Sequence, residues 1–506
     1  MEEPGADLSH GSPLAMEWSG EGRRSAPALQ KSQMKKSLQV MKFGGTSVGD
    51  ASCITRAAKI IVNAAKEFRC VAVVSAMSGV TNRLIEAANH ARAGNAREAA
   101  AILESLCKQH ETALSSLVQH EEERQPIRQK LQEVLSEGRR LCEGTALLRE
   151  LTARTLDAVS SLGERLSAPL VAAAVKGAGA ASEAIEASEL IVTDAFHGGA
   201  EPQMEATRGK SQKRLCPLLE NGIVPIVTGF IGATAQGQLT TLGRGGSDFS
   251  ATILGAALDA DEVIIWTDVD GVLTADPRLV QEARTIPEVS YREAAELAYF
   301  GAKVLHPKTL NPVVQAAIPV WIRNSFAPER RGTKITPKGR SIGGGVKALT
   351  AIRDVTLISV GGPGIVGLPD VVGRTFSTTA DLRANVLLIS QSSSQNDICF
   401  IVAAADAQRT VEALRKEFAQ DLAHHNVEHI TVDPNIAIVA VVGENMRGIP
   451  GIAGKTFSAL GREGVNLIAI AQGSSESNIS FVIEEQDVKT ALITAHREFG
   501  LDSPQS

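Results

Sequence analysis

The chain has 506 residues, 43% of them hydrophobic, which is enough for two or three domains with cores of their own. A formal net charge of −6, no long run of Lys and Arg, and 4% aromatic residues argue against nucleic acid as the main partner. The six cysteines (Cys53, Cys70, Cys107, Cys142, Cys216 and Cys399) are scattered with no C-x-x-C pair, so reduced thiols in a cytoplasm fit better than a disulfide framework or a metal site.

Residues 1–37 are polar, carry early acids and lack an apolar segment. They read as a disordered tail and not as a secretory signal, with Met16 and Met34 as alternative starts. No apolar stretch is long and clean enough to span a bilayer, so no membrane is expected as partner.

Folding signals begin at Leu38. Leu38–Phe43 reads as a buried strand running into Gly44, Gly45, Thr46 and Ser47, and Ala51–Lys66 reads as a helix. Cys70–Val74 is a second buried strand, ending in Ser75-Ala76-Met77-Ser78-Gly79. Strand, turn, helix, strand is the grammar of a parallel sheet, which makes the fold class α/β. Leu84–Lys176 is rich in Ala, Leu, Glu and Arg and reads as several helices. Strand patterns return at Ile223–Thr228 and Val263–Thr267, and Pro328–Gly345 reads as a linker.

Beyond that stretch lies an internal repeat at a constant offset of 81 residues. Gly367-Leu-Pro-Asp-Val-Val-Gly-Arg-Thr-Phe376 matches Gly448-Ile-Pro-Gly-Ile-Ala-Gly-Lys-Thr-Phe457, Asn385–Gln391 matches Asn466–Gln472, and Ile398–Val402 matches Ile479–Ile483. Each copy is too small to be very stable alone, so the copies are expected to pair.

Four motifs carry chemistry. Lys42-Phe43-Gly44-Gly45-Thr46-Ser47 sets backbone N–H groups and a helix start beside a lysine, an anion cradle. The lysine precedes the glycines, so this is not a Walker A loop, and an ordinary structural turn is the alternative. Thr241-Leu-Gly-Arg-Gly-Gly-Ser-Asp248 surrounds Arg244, a side chain suited to a carboxylate, with glycines; Asp248 could equally cap the next helix. Trp266-Thr-Asp-Val-Asp-Gly271 and Thr274-Ala-Asp-Pro-Arg278 follow a buried strand, where ligands bind in open α/β folds, or are plain turns. In Phe300-Gly-Ala-Lys-Val-Leu-His-Pro307, Lys303 is a phosphate ligand or a snorkelling surface residue. Together, Lys42, Arg278 and Lys303 offer charge to phosphates and Arg244 offers it to a carboxylate. Phosphoryl transfer needs positioning and charge neutralisation above all, and a carboxylate acceptor is already ionised at neutral pH.

Lys42–Val48, Thr241–Asp248, Trp266–Gly271 and Phe300–Pro307 resemble, in order and spacing, the aspartate kinase (aspartokinase) family, from Leu38 to Phe499. The resemblance implies an amino-acid kinase fold, a parallel-rich sheet between helical layers, followed by tandem α+β ACT domains of which one is inserted into the other. The implied division is a tail at 1–37, a catalytic domain at 38–335, and ACT regions at 346–432 and 433–500. The implied reaction is ATP plus L-aspartate giving ADP and 4-phospho-L-aspartate, the entry to lysine, threonine and methionine biosynthesis.

By the same resemblance Lys42 and Asp248 are catalytic, and Ser75, Thr81, Glu164, Arg244 and Ser247 bind aspartate, Glu164 at its ammonium group and Arg244 at a carboxylate. Lys42, Gly44, Gly45, Ser47, Thr267, Asp268, Arg278 and Lys303 serve ATP, with Mg²⁺ bridging the phosphates and no dedicated protein metal site. Many relatives carry tyrosine where this chain has Leu273. Asn385 and Gln391, with their repeat mates Asn466 and Gln472, would bind an amino-acid effector, threonine first and lysine second, in a homo-oligomer joined through the ACT domains. The threonine-responsive branch is often fused to homoserine dehydrogenase; with the chain stopping at Ser506, a monofunctional enzyme is expected. Other readings are another amino-acid kinase, such as acetylglutamate kinase, or a catalytically inactive amino-acid sensor. The paired repeat and Phe300–Pro307 argue against the first; Lys42, Glu164, Arg244 and Asp268 argue against the second.

Overall fold

The computed structural model describes residues 36–301, 305–340, 345–362, 369–391, 397–444, 446, 449–472 and 477–503. Strand β1 (Leu38–Phe43) is buried at every residue, as its unbroken apolar character demands of a central parallel strand. Helix α1 (Ala51–Glu67) starts at Asp50, whose carboxylate accepts the Cys53 N–H, and leads to β2 (Arg69–Val74). The Ala- and Leu-rich stretch folds as α2 (Val80–Arg92), α3 (Ala96–Leu117), α4 (Glu121–Leu148), α5 (Ala153–Ser160) and α6 (Leu162–Gly177). Then follow β3 (Ser182–Ile185), β4 (Val192–Thr193), α7 (Met204–Glu220), β5 (Val224–Thr228), β6 (Ile231–Thr234), β7 (Leu239–Thr241), α8 (Gly246–Ala257), β8 (Glu262–Thr267), β9 (Glu288–Ser290), α9 (Tyr291–Tyr299), α10 (Asn311–Ala316), β10 (Val320–Asn324) and β11 (Thr333–Thr336).

Eight of these strands form one sheet in the order β3-β5-β2-β1-β8-β10-β11-β9. β1 pairs in parallel with β2 on one side and with β8 on the other. The chain therefore works outward from β1 through β2 to β3 at the edge, fills the gap between β2 and β3 with β5, and then returns to the opposite flank of β1. That reversal is a topological switch point, where a crevice opens beyond the carboxyl ends of the strands. Alternation along β1 sends Met41 and Phe43 into the layer of α1 to α6, and Leu38 and Val40 into the layer of α7 and α8. Lys42 shares the parity of Leu38 and Val40, so it projects towards α8.

The Pro328–Gly345 stretch is not the plain linker the sequence implied, because it contains β11, which pairs with β10 and β9. Gly332 (φ +74°) makes the turn into it, and a Cβ there would overlap Ile322 O. Four residues with two threonines carried too little pattern to mark a strand.

The C-terminal part comprises β12 (Ala348–Gly361), α11 (Pro369–Asp381), β13 (Val386–Gln391), β14 (Asp397–Ala403), α12 (Ala404–Glu417), α13 (Ala419–Ala423), β15 (His429–Val442), α14 (Ile452–Arg462), β16 (Ala469–Gln472), β17 (Asn478–Glu484) and α15 (Val488–Glu498). Its six strands are ordered β13-β14-β12-β15-β17-β16. The repeat survives in the packing: Phe376 meets Phe400 edge-on at 5.6 Å between ring centroids, and Phe457 meets Phe481 the same way at 5.7 Å. Yet the halves are interlaced. β12 and β15 pair along most of their length, Ala348–Ile352 with Ile438–Val442 and Leu357–Gly361 with His429–Asp433. The 432/433 division of the sequence thus falls inside a continuous strand.

The two parts are tied by a buried acid. Glu293, on α9, is fully buried and accepts Lys347 Nζ at 2.7 Å, the Ser290 N–H at 2.8 Å and the Glu444 N–H at 2.7 Å. Lys347 leads into β12 and Glu444 follows β15. Removing one member of a buried pair leaves the other uncompensated. Lys347→Met should therefore cost about 3 kcal/mol of stability. Calorimetric melting measures this, and an unchanged melting temperature would show that the pair carries no weight.

Candidate active site

β1, β2, β5 and β8 all end at one edge of the sheet, and a cavity of about 580 Å³ opens there. Of the residues singled out from the sequence, Lys42, Gly44, Gly45, Ser75, Thr81, Glu164, Arg244, Ser247, Asp248, Thr267 and Asp268 line it. They come from five separate segments. Ser47 lies just behind the lining, buried, with its hydroxyl 2.8 Å from that of Ser325. Arg278 is not brought into the cavity. Asp276, two residues earlier, holds its exposed guanidinium at 2.6 Å. Lys303 lies outside the described residues.

Lys42 Nζ sits 2.5 Å from Asp248 Oδ1 with both side chains largely buried. The contact lacks hydrogen-bond alignment, so the pair is held by charge and proximity. Asp248 is therefore not the cap that its place in the sequence also allowed. It lies in the first turn of α8, where the helix dipole favours an acid, and the N-cap is Gly245 at φ +71°. The Gly44 N–H is spent on Trp266 O at 3.2 Å, which locks the turn after β1 to the end of β8. A Cβ on Gly45 would come within 3.1 Å of Ala76 O, so this loop and the one after β2 approach closely and a side chain here would crowd them.

Glu164 sits near the start of α6, 4% exposed. One oxygen accepts the Ala76 N–H at 3.1 Å, and Oε2 is buried without a hydrogen-bond partner. Burial pushes its carboxyl up to about 8. Arg244 is exposed and has no ion-pair partner among the described residues. The cavity thus offers an acid that lacks a cation and a cation that lacks an acid.

Sequence reasoning missed Phe230 and Asn82 in the lining. Phe230 holds φ +67°, a costly conformation for a bulky residue, and its ring would meet any Cβ at Gly246 at 2.6 Å. Its signal was its place just past β5, at the same edge as the other motifs. The residues assigned to an effector lie elsewhere. Asn385 precedes β13 and Gln391 ends it, Asn466 lies shortly before β16 and Gln472 ends it, all four are exposed, and these strands are the two edges of the C-terminal sheet. Ser392–Ser394 and Gly473–Ser475, which follow the two glutamines, lie outside the described residues.

Among known proteins, residues 37–324 match the amino acid kinase family, and 358–418 and 439–499 match an ACT domain. The bifunctional aspartokinase/homoserine dehydrogenase 2 of Arabidopsis thaliana is 36% identical over 469 residues, 91% of this chain and 50% of that protein. The chain spans about half the length of the bifunctional relatives it matches. Aspartokinase 1 of the same plant is 33% identical over 91% of this chain and 80% of its own length. Escherichia coli aspartokinase III is 30% identical, with a TM-score of 0.76 and coverage of 91% of this chain and 99% of that one in its aspartate and ADP complex. Its lysine and aspartate complex matches with the same TM-score and identity.

The raised Glu164 value has a thermodynamic consequence. An unfolded chain releases this proton near 4.5, whereas the folded chain keeps it to about 8. The stabilising contribution is therefore full below 4.5 and is lost as pH rises towards 8. Glu164→Gln should abolish that loss, on the order of a few kcal/mol, in substrate-free protein. Melting curves at pH 5 and pH 8 test it; parallel falls in wild type and variant would contradict the burial argument.

Proposed function

This chain belongs to the aspartokinase family of amino acid kinases, and from that premise we propose that it transfers the γ-phosphoryl group of ATP to the side-chain carboxylate of L-aspartate. The observation that carries the reading is one cavity holding the Lys42–Asp248 pair, a buried Glu164 oxygen and the Arg244 guanidinium, the last two without a partner among the described residues. A free amino acid with a second carboxylate complements all three. Its ammonium group restores a cation to Glu164 and favours the ionised carboxylate there. One carboxylate pairs with Arg244, aided by Ser247, and Ser75 and Thr81 border the pocket.

In the transfer, a side-chain carboxylate oxygen attacks the γ-phosphorus. The bond to the β,γ-bridging oxygen breaks and ADP leaves. The acceptor is ionised at neutral pH, so no general base is required. Lys42 neutralises charge on the transferring group, and the N-terminus of the twelve-residue α8 faces the same anion, with Gly44 and Gly45 in the lining. Asp248 keeps the ammonium group in place until a phosphate competes for it. Thr267 and Asp268, at the end of β8, serve the nucleotide. Among the described residues no group of three or more His, Cys, Asp or Glu forms a ready metal cage. Asp248 and Asp268 suit Mg²⁺, which binds mainly through phosphates and water and would neutralise phosphate charge.

The paired ACT repeats support feedback control by an amino acid. Threonine is the favoured effector and lysine, found on the E. coli relative, the second. The exposed edge strands β13 and β16 support assembly of copies through this sheet. Six free cysteines support a reducing compartment, read here as the cytoplasm, although the plant relatives are chloroplastic by name. Among the described residues no helix is long and apolar enough to cross a membrane.

ADP release coupled to NADH oxidation tests the reaction, with L-aspartate, acetylglutamate and no acceptor as arms. L-Aspartate should be the arm that turns over, and Lys42→Ala should lower kcat by about 100-fold or more in a folded protein. Release with acetylglutamate alone would replace the reading. A threonine titration at fixed L-aspartate tests regulation. Threonine should inhibit wild type and inhibit Gln472→Ala less, and a wild type untouched by threonine but inhibited by lysine would move the assignment to lysine.

A further inference from the structure

Asp157, on α5, is 2% exposed and outside the cavity lining, yet its carboxylate gathers donors from two other segments. His197 Nδ1 lies 2.8 Å from Oδ2 and must donate, because an ionised carboxylate only accepts. The Gly198 N–H reaches both oxygens at 3.1 Å. The Thr241 N–H reaches Oδ2 at 3.2 Å, and the Thr241 hydroxyl reaches Oδ1 at 2.5 Å. Thr241 is the last residue of β7, three positions before Arg244. The two bound segments are also pressed together: the Ala200 N–H donates to Thr241 O at 2.9 Å, and a Cβ on Gly243 (φ +76°) would come within 3.0 Å of Gly198 O.

The position of this hub matters because of what lies on either side. Arg244 itself has no ion pair among the described residues, so its placement rests on the backbone that Thr241 anchors. On the other side, Ser161 between α5 and α6 is helical (φ −65°, ψ −20°), so Asp157 and Glu164 ride on one nearly continuous helical path, two turns apart. We propose that Asp157 is a positioning residue that fixes the spacing between Glu164 and Arg244. It thereby sets the separation of ammonium and carboxylate groups that the site accepts. The proposal rests on the reading of those two residues as the amino-acid clamp. Hydrogen bonds to a charged acceptor are strong enough to hold a loop, and misplacing a clamp by about 1 Å can cost up to about 100-fold.

Steady-state kinetics of Asp157→Asn test this, with Thr241→Val and Thr241→Ser as milder variants that remove or keep the hydroxyl donor. Asp157→Asn should raise KM for L-aspartate on the order of tenfold to 100-fold while KM for ATP stays within about twofold. Thr241→Val should move in the same direction by less, and Thr241→Ser should return to wild-type values. If Asp157→Asn does not fold, the Thr241 pair alone decides. An unchanged KM for L-aspartate in a folded variant, or equal rises for L-aspartate and ATP, overturns the proposal. A wild type that phosphorylates no amino acid overturns the clamp reading and this proposal together; a normal wild type with unresponsive variants overturns this proposal alone.

Discussion

Parallel pairing of β1 with both β2 and β8 is the constraint on which the rest depends. It brings the turn after β1, the Ser75–Gly79 loop and the Thr267–Asp268 turn to one edge, and it orients Lys42 towards α8. Because a parallel strand must be buried on both faces, the helical layers follow from it. The Gly44 to Trp266 hydrogen bond and the stacking of Phe43 on Trp266 at 6.2 Å then fix the relation of the two strand ends. A charged side chain on a buried strand needs a crevice to reach, and Lys42, one residue before the end of β1, lines one.

The site is built against local preference. It keeps Glu164 buried without a cation among the described residues, a phenylalanine at positive φ, and loops so close that a Cβ would lie 2.6 Å from the Phe230 ring at Gly246 and 3.1 Å from Ala76 O at Gly45. Each of these features costs stability, and the packed layers on both sides of the sheet offset them. What results is preorganisation: charged groups held in place before any ligand arrives. The Asp157 hub extends the same logic one layer outward, where a buried carboxylate satisfied by several donors is rigid in a way that a solvated loop is not.

The C-terminal sheet is attached to this machinery by shared apolar clusters and by buried polar contacts. Glu293 joins α9 to the start of β12 and the end of β15, and the Thr350 hydroxyl donates to Phe300 O at 2.8 Å at the far end of α9. Because β12 and β15 each run through both repeat halves, a shift in one half is carried by continuous strands to the other. Such strands, anchored on the helix that ends at Tyr299, link the C-terminal sheet physically to the part that holds the cavity.

By itself the sequence determined the parts with strong local signatures. The apolar runs that became β1, β2, β5 and β8, the helical stretch after Leu84, and the glycine-flanked motifs at Lys42 and Arg244 were legible because burial and turn geometry act over a few residues. The repeat was legible because an identical offset needs no structure to detect. Tertiary structure decided the rest. β4, β6, β7, β9 and β11 have two to four residues, too few for a period to show, and exist because neighbours supply their partners. Asp248 chose Lys42 over a cap because β1 and α8 pack together, and Arg278 stayed on Asp276, in a loop whose Ala275 and Val280 pack into the core of the C-terminal sheet. The interlacing of the two repeats and the convergence of Asp157, His197 and Thr241, up to 84 residues apart, could not be read from any window of sequence. Long-range contacts form only once the chain has paid the entropy of closing such loops, and local patterns hold no record of which closures win.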